Sequence, residues 1–221
     1  MPSSYPDYPQ GPDLQGFLEP VAAACRITLP TSIDYQQRID QARQTFEQQI
    51  GRVLLATSQT RRFDPPTNVR GIVDLRTDLV SVTSLTVQGA AKVEGTDYLL
   101  EPYNSAQDGK PYRWIEFLSG IYWRFPLYVE LRRSVVIVGM FGYALGVPTL
   151  GYDAILAQGA IDCYPDLALA ISRGLQMKRQ GDTEEMYARG KGNGPLFEEM
   201  ISWQARVAQS INNLTPAEVG L

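Results

Sequence analysis

Apolar residues recur at helical spacing near both ends of the chain and at alternating spacing in the middle. Between Tyr35 and Val53 they fall every three or four positions, which places one apolar stripe along a helix. Thr31 or Ser32 can cap this helix, and Asp34 in its first turn favours the helix dipole. The opposite face is polar but weakly charged, a composition that suits contact with a protein as well as with water. It carries Gln37, Arg38, Gln41, Gln44, Gln48 and Gln49.

After the proline-containing segment at residues 64–68 the period changes to two. Apolar and polar positions alternate in three short stretches between Val73 and Val87, as expected for strands. A tyrosine-rich hairpin follows, with Tyr98 on its first arm and Tyr112–Phe117 on the return. Further aromatic strands are predicted over residues 121–131. Short strands separated by turn signals predict a small antiparallel sandwich or open barrel.

The helical period returns after Val147–Pro148. One helix is predicted before Pro165, which limits or bends it, and another over residues 167–177. A short helix is predicted from Asp182 to Gly190. The last helix begins at Pro195, a favoured first-turn position.

This order of elements predicts an α+β fold, in which a helical core of the first helix and the C-terminal helices carries an inserted antiparallel β domain. The predicted parts are a flexible arm (1–16), a helical core (17–62 and 147–214), a β domain (63–146) and a C-terminal tail (215–221).

The arm contains four prolines with Tyr5 and Tyr8 between them. Such a segment favours extended polyproline geometry, and no periodic apolar face is evident in it. Two interpretations are open. The arm is a disordered tail, or it docks through Tyr5 and Tyr8 on a neighbouring subunit.

The composition limits which catalytic groups and metal ligands this chain can offer. The 221 residues contain no histidine, which removes the commonest general base and the commonest metal ligand. Cys25 and Cys163 are too few for a zinc site, and we expect them to be buried free thiols rather than a disulfide. We therefore expect no cofactor and no metal. The net charge of -4 disfavours nucleic-acid binding.

A membrane segment is not expected either. The N-terminus lacks the basic and apolar regions of a signal peptide. The uncharged segment from Ser134 to Tyr152 is short and broken by Gly139, Gly142 and Pro148, so it favours a buried strand followed by a turn. These features predict a soluble protein.

The candidate catalytic motifs are weak. The glycine-rich loop Arg189–Pro195 does not match the phosphate-binding P-loop pattern, which favours a connector. Adjacent carboxylates occur only in first turns of predicted helices, where they stabilise the dipole. A serine nucleophile would need a lysine partner, and no local signature indicates one. The chain is therefore predicted not to be an enzyme.

The aromatic run that contains Tyr122 and Trp123 also includes Arg124, and could stack on single-stranded nucleic acid. Such a face more often packs on a core or a partner, and the negative net charge agrees with that. Tyr122 and Trp123 are therefore candidate partner-contact residues.

Several segments resemble the head–tail connectors of tailed bacteriophages, also called adaptors or head-completion proteins. The resemblance covers roughly residues 34–210 and rests on the order of elements. The segments are Gly95–Tyr98 leading into Leu100–Pro102, Pro111–Ile115, Val138–Tyr143 followed by Val147–Pro148, and Ala154–Leu156. The proline-rich arm and the enlarged β block depart from the shorter members.

The resemblance implies a structural protein of the virion, located at the head–tail interface and assembled in the host cytoplasm. Such adaptors form a ring of copies, usually dodecameric, beneath the portal protein, and offer a docking surface to the tail or next neck protein. DNA passes through the ring without specific binding, and an acidic lumen would keep it from adhering. The free chain is expected to be monomeric or weakly associated.

The tail is the segment expected to meet the portal. Thr215 and Glu218 have the spacing of a capping box, with Pro216 at the first helical position. This start signal is either accidental or marks a segment that folds against another surface. In the second case the apolar anchors are Leu214, Val219 and Leu221, beside the helix of Trp203.

Two functions of other classes remain as alternatives. One is a binding module whose β block recognises a sugar or a peptide, which predicts a soluble monomer with a saturable ligand. The other is a hydrolase that uses Asp and Glu, which predicts loss of turnover when a single carboxylate is replaced.

Overall fold

The computed structural model describes residues 4–5, 7–66, 71–118, 133–178 and 195–215. The chain divides into two compact units. The β unit comprises Met1–Asp7 and Arg52–Pro148, and the helical unit comprises Tyr8–Gly51 and Thr149–Leu221. Helices and an antiparallel sheet occur in one chain, so the predicted α+β class is confirmed.

The elements are numbered in chain order. They are β1 (Ser4–Tyr5), α1 (Gly11–Ala24), α2 (Tyr35–Ile50), β2 (Thr57–Phe63), β3 (Ile72–Val87), β4 (Ala90–Lys92), β5 (Tyr98–Glu101), α3 (Ser105–Asp108), β6 (Tyr112–Phe117), β7 (Val135–Phe141), β8 (Val147–Pro148), α4 (Thr149–Lys178) and α5 (Pro195–Leu214).

Helix α1 corrects the predicted extent of the flexible arm. The arm was expected to reach residue 16, but α1 begins at Gly11, and Leu14 and Leu18 are fully buried. Asp13 starts the helix because its carboxylate accepts a hydrogen bond from the backbone N–H of Gln10 at 2.7 Å. Leu14 and Leu18 are four residues apart and so lie on one face of α1. The prolines of this region favour an extended prediction, so this short apolar pattern is not recognised from the sequence.

The boundaries of the predicted helical core also change. Helix α2 ends at Ile50, where Gly51 takes the left-handed conformation with φ 65° and caps it. Residues 57–62, expected in the helical core, lie in β2, because this segment pairs along its whole length with β7. Two helices were expected around Pro165, but α4 is continuous through that residue.

Six strands of the described residues form one open antiparallel sheet in the order β2-β7-β3-β6-β5, with β4 paired to β3. The predicted hairpin is confirmed as β5 and β6, with Tyr98 opposite Phe117. The stretches expected as separate strands between residues 73 and 87 form the single long strand β3.

Strand β3 changes partner midway. Its first half pairs with β6 and its second half, from Leu79 onward, pairs with β7. The change coincides with a bulge in which Arg76 has φ 50° and its N–H donates to the Asp74 carboxylate at 2.9 Å. Apolar side chains of β3 and of its partners β6 and β7 form the core of the β unit; they include Val73, Leu79, Leu85, Ile115, Ile137 and Phe141.

The helical unit has its own core, to which α1, α2, α4 and α5 contribute buried side chains. Helix α5 begins at Pro195 as predicted, and its residues Leu196, Trp203 and Val207 are buried. Within α4, Thr149–Ile171 is the one stretch of described residues long and apolar enough to cross a membrane by length and composition. Core helices meet the same criterion, and Ala154 and Ile155 are fully buried inside this unit.

Three predicted segments lie outside the described residues. They are the strands expected over residues 121–131, the helix from Asp182 to Gly190, and the tail beyond Thr215. Helix α5 ends at Leu214. The Thr215 hydroxyl donates to the Ile211 carbonyl at 2.6 Å, so it closes the end of α5.

Candidate functional site

A groove of about 590 Å³ lies between α2 and α4 on the helical unit. Its lining combines three glutamines, one threonine and one arginine of α2 with a short segment of α4. The lining residues are Arg38, Gln41, Gln44, Thr45, Gln48, Ile161, Asp162 and Pro165. The polar α2 face identified in the sequence is therefore one wall of a groove.

The N-terminal cap and the buried face of α2 determine the direction in which the polar side chains of this wall point. The Asp34 carboxylate accepts a hydrogen bond from the backbone N–H of Gln37 at 3.0 Å, so Asp34 caps α2 where Thr31 or Ser32 was expected to do so. Ile39 and Phe46 are buried against the rest of the unit. Because Gln41 and Thr45 lie on the other side of the helix from Ile39, burying the apolar stripe turns the amides toward solvent.

Helix α4 forms the second wall. Gly159 allows close packing on its other side, since a Cβ there would lie 3.1 Å from Leu14 and 3.2 Å from Ile39. Ile161 and Pro165 are one turn apart and both line the groove. Proline has no backbone N–H, so the carbonyl of Ile161 lacks its usual helical donor on this side of α4.

Two carboxylates lie at the α4 wall. Asp166 pairs with Arg38 at 2.9 Å, and both side chains are more than one-third exposed, so this ion pair contributes little stability. Asp162 accepts a hydrogen bond from the Gln158 amide at 3.0 Å. Burial raises the pKa of Asp162, and the Gln158 hydrogen bond and the charge of Arg38 offset part of that rise.

The nearby thiol is not poised for chemistry. Cys163 is fully buried, and burial raises its pKa to about 11, so it is protonated at neutral pH. Cys25 is half-buried, and its pKa is also raised by burial. Both thiols are free, as predicted, although only Cys163 is fully buried.

Four of the six polar side chains that line the groove carry no charge. Three of its six polar side chains are neutral glutamine amides, which both donate and accept hydrogen bonds. Over the described residues, no group of three or more His, Cys, Asp or Glu could hold a metal ion. An amide-lined groove suits a protein surface that is covered on assembly, because neutral polar groups cost less to desolvate than charges.

Two of the predicted interface residues lie in the core. Trp203 is 1% exposed, and its ring centroid lies 6.0 Å from that of Phe17. Leu214 is 4% exposed. Their burial within the helical unit corrects the expectation that these side chains meet a partner directly. Pro216, Val219, Leu221, Tyr122 and Trp123 lie outside the described residues.

The tyrosines of the arm have partners in the same chain. Tyr8 donates a hydrogen bond to the Glu47 carboxylate on α2, and the Arg43 guanidinium lies 4.8 Å from its ring centroid. Tyr8 thus docks on its own α2, where docking on a neighbouring subunit was one of the two expectations. The backbone of Tyr5 pairs with Val147 in the β1–β8 ladder.

The β unit contains a buried charged cluster that the sequence did not indicate. Asp78 is 4% exposed, with Arg52 Nε at 3.4 Å and Arg113 Nε at 4.0 Å from its carboxylate oxygens. Arg52 also lies 5.1 Å from the ring centroid of Tyr143. Burial raises the pKa of Asp78, and the two arginines offset part of the rise. Its members come from distant segments, so no sequence spacing could reveal it.

Comparisons with known proteins give structural likenesses alone. No protein-family model matches this chain, and no curated protein matches it. A structure described as "Neck of native GTA particle computed with C12 symmetry" is similar at 13% identity and a TM-score of 0.44, covering 100% of this chain and 97% of the other.

Two further structures are similar. "Neck of empty GTA particle computed with C6 symmetry" has 17% identity and a TM-score of 0.39, covering 100% of this chain and 97% of the other. "Virion of native gene transfer agent (GTA) particle" has 15% identity and a TM-score of 0.38, covering 92% and 94%. With these low identities and with TM-scores below 0.5, the likenesses do not assign the chain to a family.

Proposed function

We propose that this chain is a head–tail adaptor, a structural virion protein that forms a ring beneath the portal. The ring, a dodecamer in the form that the resemblance implies, links the DNA-filled capsid to the tail or the next neck protein. DNA passes through it without specific binding. The protein acts in the virion after assembly in the host cytoplasm, and it catalyses no reaction.

One observation carries the proposal. One of the segments on which the sequence resemblance rests, Val138–Tyr143 followed by Val147–Pro148, runs within the β unit from β7 through a glycine turn into β8. Gly142 has φ 148°, and a Cβ there would lie 2.4 Å from Cα of Ala56. The glycine of the motif is therefore required by a close backbone approach, which is a physical reason for the pattern.

Backbone hydrogen bonds hold the turn after β7 against the segment that precedes β2. Tyr143 N–H donates to the Val53 carbonyl at 2.8 Å, and Ala144 N–H donates to the Leu54 carbonyl at 3.1 Å. The segment that begins the β unit is thus tied to the segment that leads out of it. Such a tie supports an insertion of the β unit into a helical core, which is the organisation that the order of elements in the sequence predicts.

The groove supports a role in assembly rather than catalysis. Its amide lining favours a protein contact. The neighbouring thiol of Cys163 is protonated at neutral pH and so is not a reactive nucleophile. The C-terminal tail at residues 215–221 remains the proposed portal contact. Its anchors would be Val219 and Leu221, since Leu214 is buried in the helical unit.

Co-purification tests the proposal. The full chain is mixed with the portal protein encoded in the same genome, separated by gel filtration and imaged by electron microscopy. We expect a ring of this chain on the portal, and mainly monomer when the portal is omitted. A monomer without affinity for the portal that binds a sugar or peptide saturably would contradict the proposal and favour the binding-module alternative.

A further inference from the structure

The groove between α2 and α4 presents hydrogen-bond acceptors that the helical unit does not fully use. The Ile161 carbonyl lacks its helical donor because residue 165 is proline. The Asp162 carboxylate lies on the same wall and, within the described part of the chain, accepts a hydrogen bond from the neutral amide of Gln158. Two adjacent acceptors, one of them anionic, match a cationic donor such as an arginine or lysine side chain.

Among the described residues that line the groove, Arg38 is the one cation, and its direct ion pair is with a carboxylate other than Asp162. Arg38 pairs with Asp166 at 2.9 Å at the edge of the groove. Its guanidinium pairs directly with Asp166 and acts on Asp162 through its charge, while the direct partner of Asp162 is the neutral amide of Gln158. A second cation brought by another molecule would complement the remaining carboxylate, and the glutamines would hydrogen-bond the polar groups around it.

A second copy of this chain can supply that cation. In the described part of the helical unit, Arg26 follows α1 and Arg206 lies on α5, and both side chains are exposed. Helix α1 packs on the side of α2 and α4 that carries Ile39 and Gly159, away from Gln41 and Thr45. The helical unit therefore presents an acceptor groove between α2 and α4 and exposed arginines on other segments, one after α1 and one on α5.

This arrangement favours one symmetry of contact. Two grooves facing each other would bring two Asp162 carboxylates together, and like charges repel. A groove that meets a different side of the next copy makes a heterologous contact, and repeated heterologous contacts form a ring when the rotation between copies closes.

We propose that the α2–α4 groove receives an arginine or lysine side chain of the neighbouring copy and is the acceptor half of the ring contact. This inference rests on the proposed function and adds to it the side of the subunit that faces its neighbour. Arg26 and Arg206 are the donors to be tested first.

Two variants test the groove, each with a matched control. Asp162→Arg places a cation where the neighbour's cation binds, and Asp40→Arg is its control on an exposed position of α2. Thr45→Trp fills the groove, and Gln49→Trp adds the same side chain to an exposed α2 position outside the lining. Thermal unfolding of each variant separates a lost contact from a lost fold.

Sedimentation velocity of the free chain at rising concentration, and imaging on the purified portal, give the two readouts. We expect the groove variants to self-associate about 30-fold or more weakly than wild type, the effect of losing a buried charged contact. They should still bind the portal as single copies without closing a ring, while the controls behave as wild type. Restored ring closure in Asp162→Arg combined with Arg26→Asp or Arg206→Asp would identify the donor.

The outcomes separate the two proposals. Folded groove variants that form rings and self-associate like wild type would overturn the groove inference and leave the adaptor function standing. If wild type does not bind the portal, the adaptor function fails. Weaker self-association of the groove variants would then still support the contact between copies, and unchanged self-association would overturn it as well. If the groove variants do not fold, the milder Asp162→Asn replaces Asp162→Arg in both readouts.

Discussion

An alanine at position 142 would place a methyl group where the chain leaves no space for it. Its Cβ would lie 2.4 Å from Cα of Ala56 and 2.8 Å from the carbonyl oxygen of Leu55. Gly142 also has φ 148°, a conformation that L-amino acids with side chains rarely adopt. Both the clash and the backbone strain therefore act on the same residue.

The expected loss follows from these two effects. Backbone strain of this kind costs about 1–3 kcal/mol. Relieving the clash requires the segments to separate, which weakens the hydrogen bonds from Gly142 N–H to the Asp78 carbonyl at 3.0 Å and from Tyr143 N–H to the Val53 carbonyl at 2.8 Å. Each such bond contributes about 1 kcal/mol. We expect Gly142→Ala to lower the unfolding free energy by about 3–5 kcal/mol.

Urea unfolding followed by circular dichroism and tryptophan fluorescence measures this loss. Gly95→Ala is the control, because Gly95 has φ 79° but no heavy atom lies within 4 Å of a Cβ placed there. It should cost only about 1 kcal/mol of strain. Equal losses in the two variants would show that the close approach to Ala56 contributes nothing, and would refute the reasoning.

Three further predictions concern titration and the tail. Burial raises the pKa of Asp78 above 3.8, so the stability due to its protonated form is full below pH 3.8 and is lost as pH rises through the raised pKa. Asp78→Asn should remove that dependence in unfolding curves measured across the acid range, and an unchanged profile would contradict this. Burial raises the pKa of Tyr98 from 10.0 to about 12, so stability should fall by up to about 2.7 kcal/mol as pH rises from 10 through 12. Tyr98→Phe should show a smaller alkaline loss in the same assay. Deleting residues 216–221, which retains the Thr215 bond to Ile211, should leave the unfolding temperature nearly unchanged and abolish portal binding in a pull-down. Intact binding would move the portal contact elsewhere.

Local patterns in the sequence determined the elements whose ends and faces are set by neighbouring residues. The apolar spacing of α2, with Asp34 before it, is a local signal, and so is Pro195 at the start of α5. The hairpin of β5 and β6 follows from two alternating stretches separated by turn residues. These elements could be predicted because their hydrogen bonds join residues close in sequence.

The arm shows how a local signal can mislead. Four prolines made residues 1–16 read as extended chain, yet Pro12 is tolerated in the first turn of α1, where its missing N–H has no helical acceptor. The burial of Leu14 against Gly159 and Ile39 then stabilises the helix. Propensity was outweighed by packing against residues far along the chain.

Only the tertiary structure decided the features built from distant segments. Helix α4 continues through Pro165, although local propensity predicts a break there. The groove joins Gln41 of α2 to Asp162 of α4, and the charged cluster joins Arg52, Asp78 and Arg113. Local periodicity sets which face of an element is buried, but the neighbour against which that face packs depends on how the whole chain closes its core.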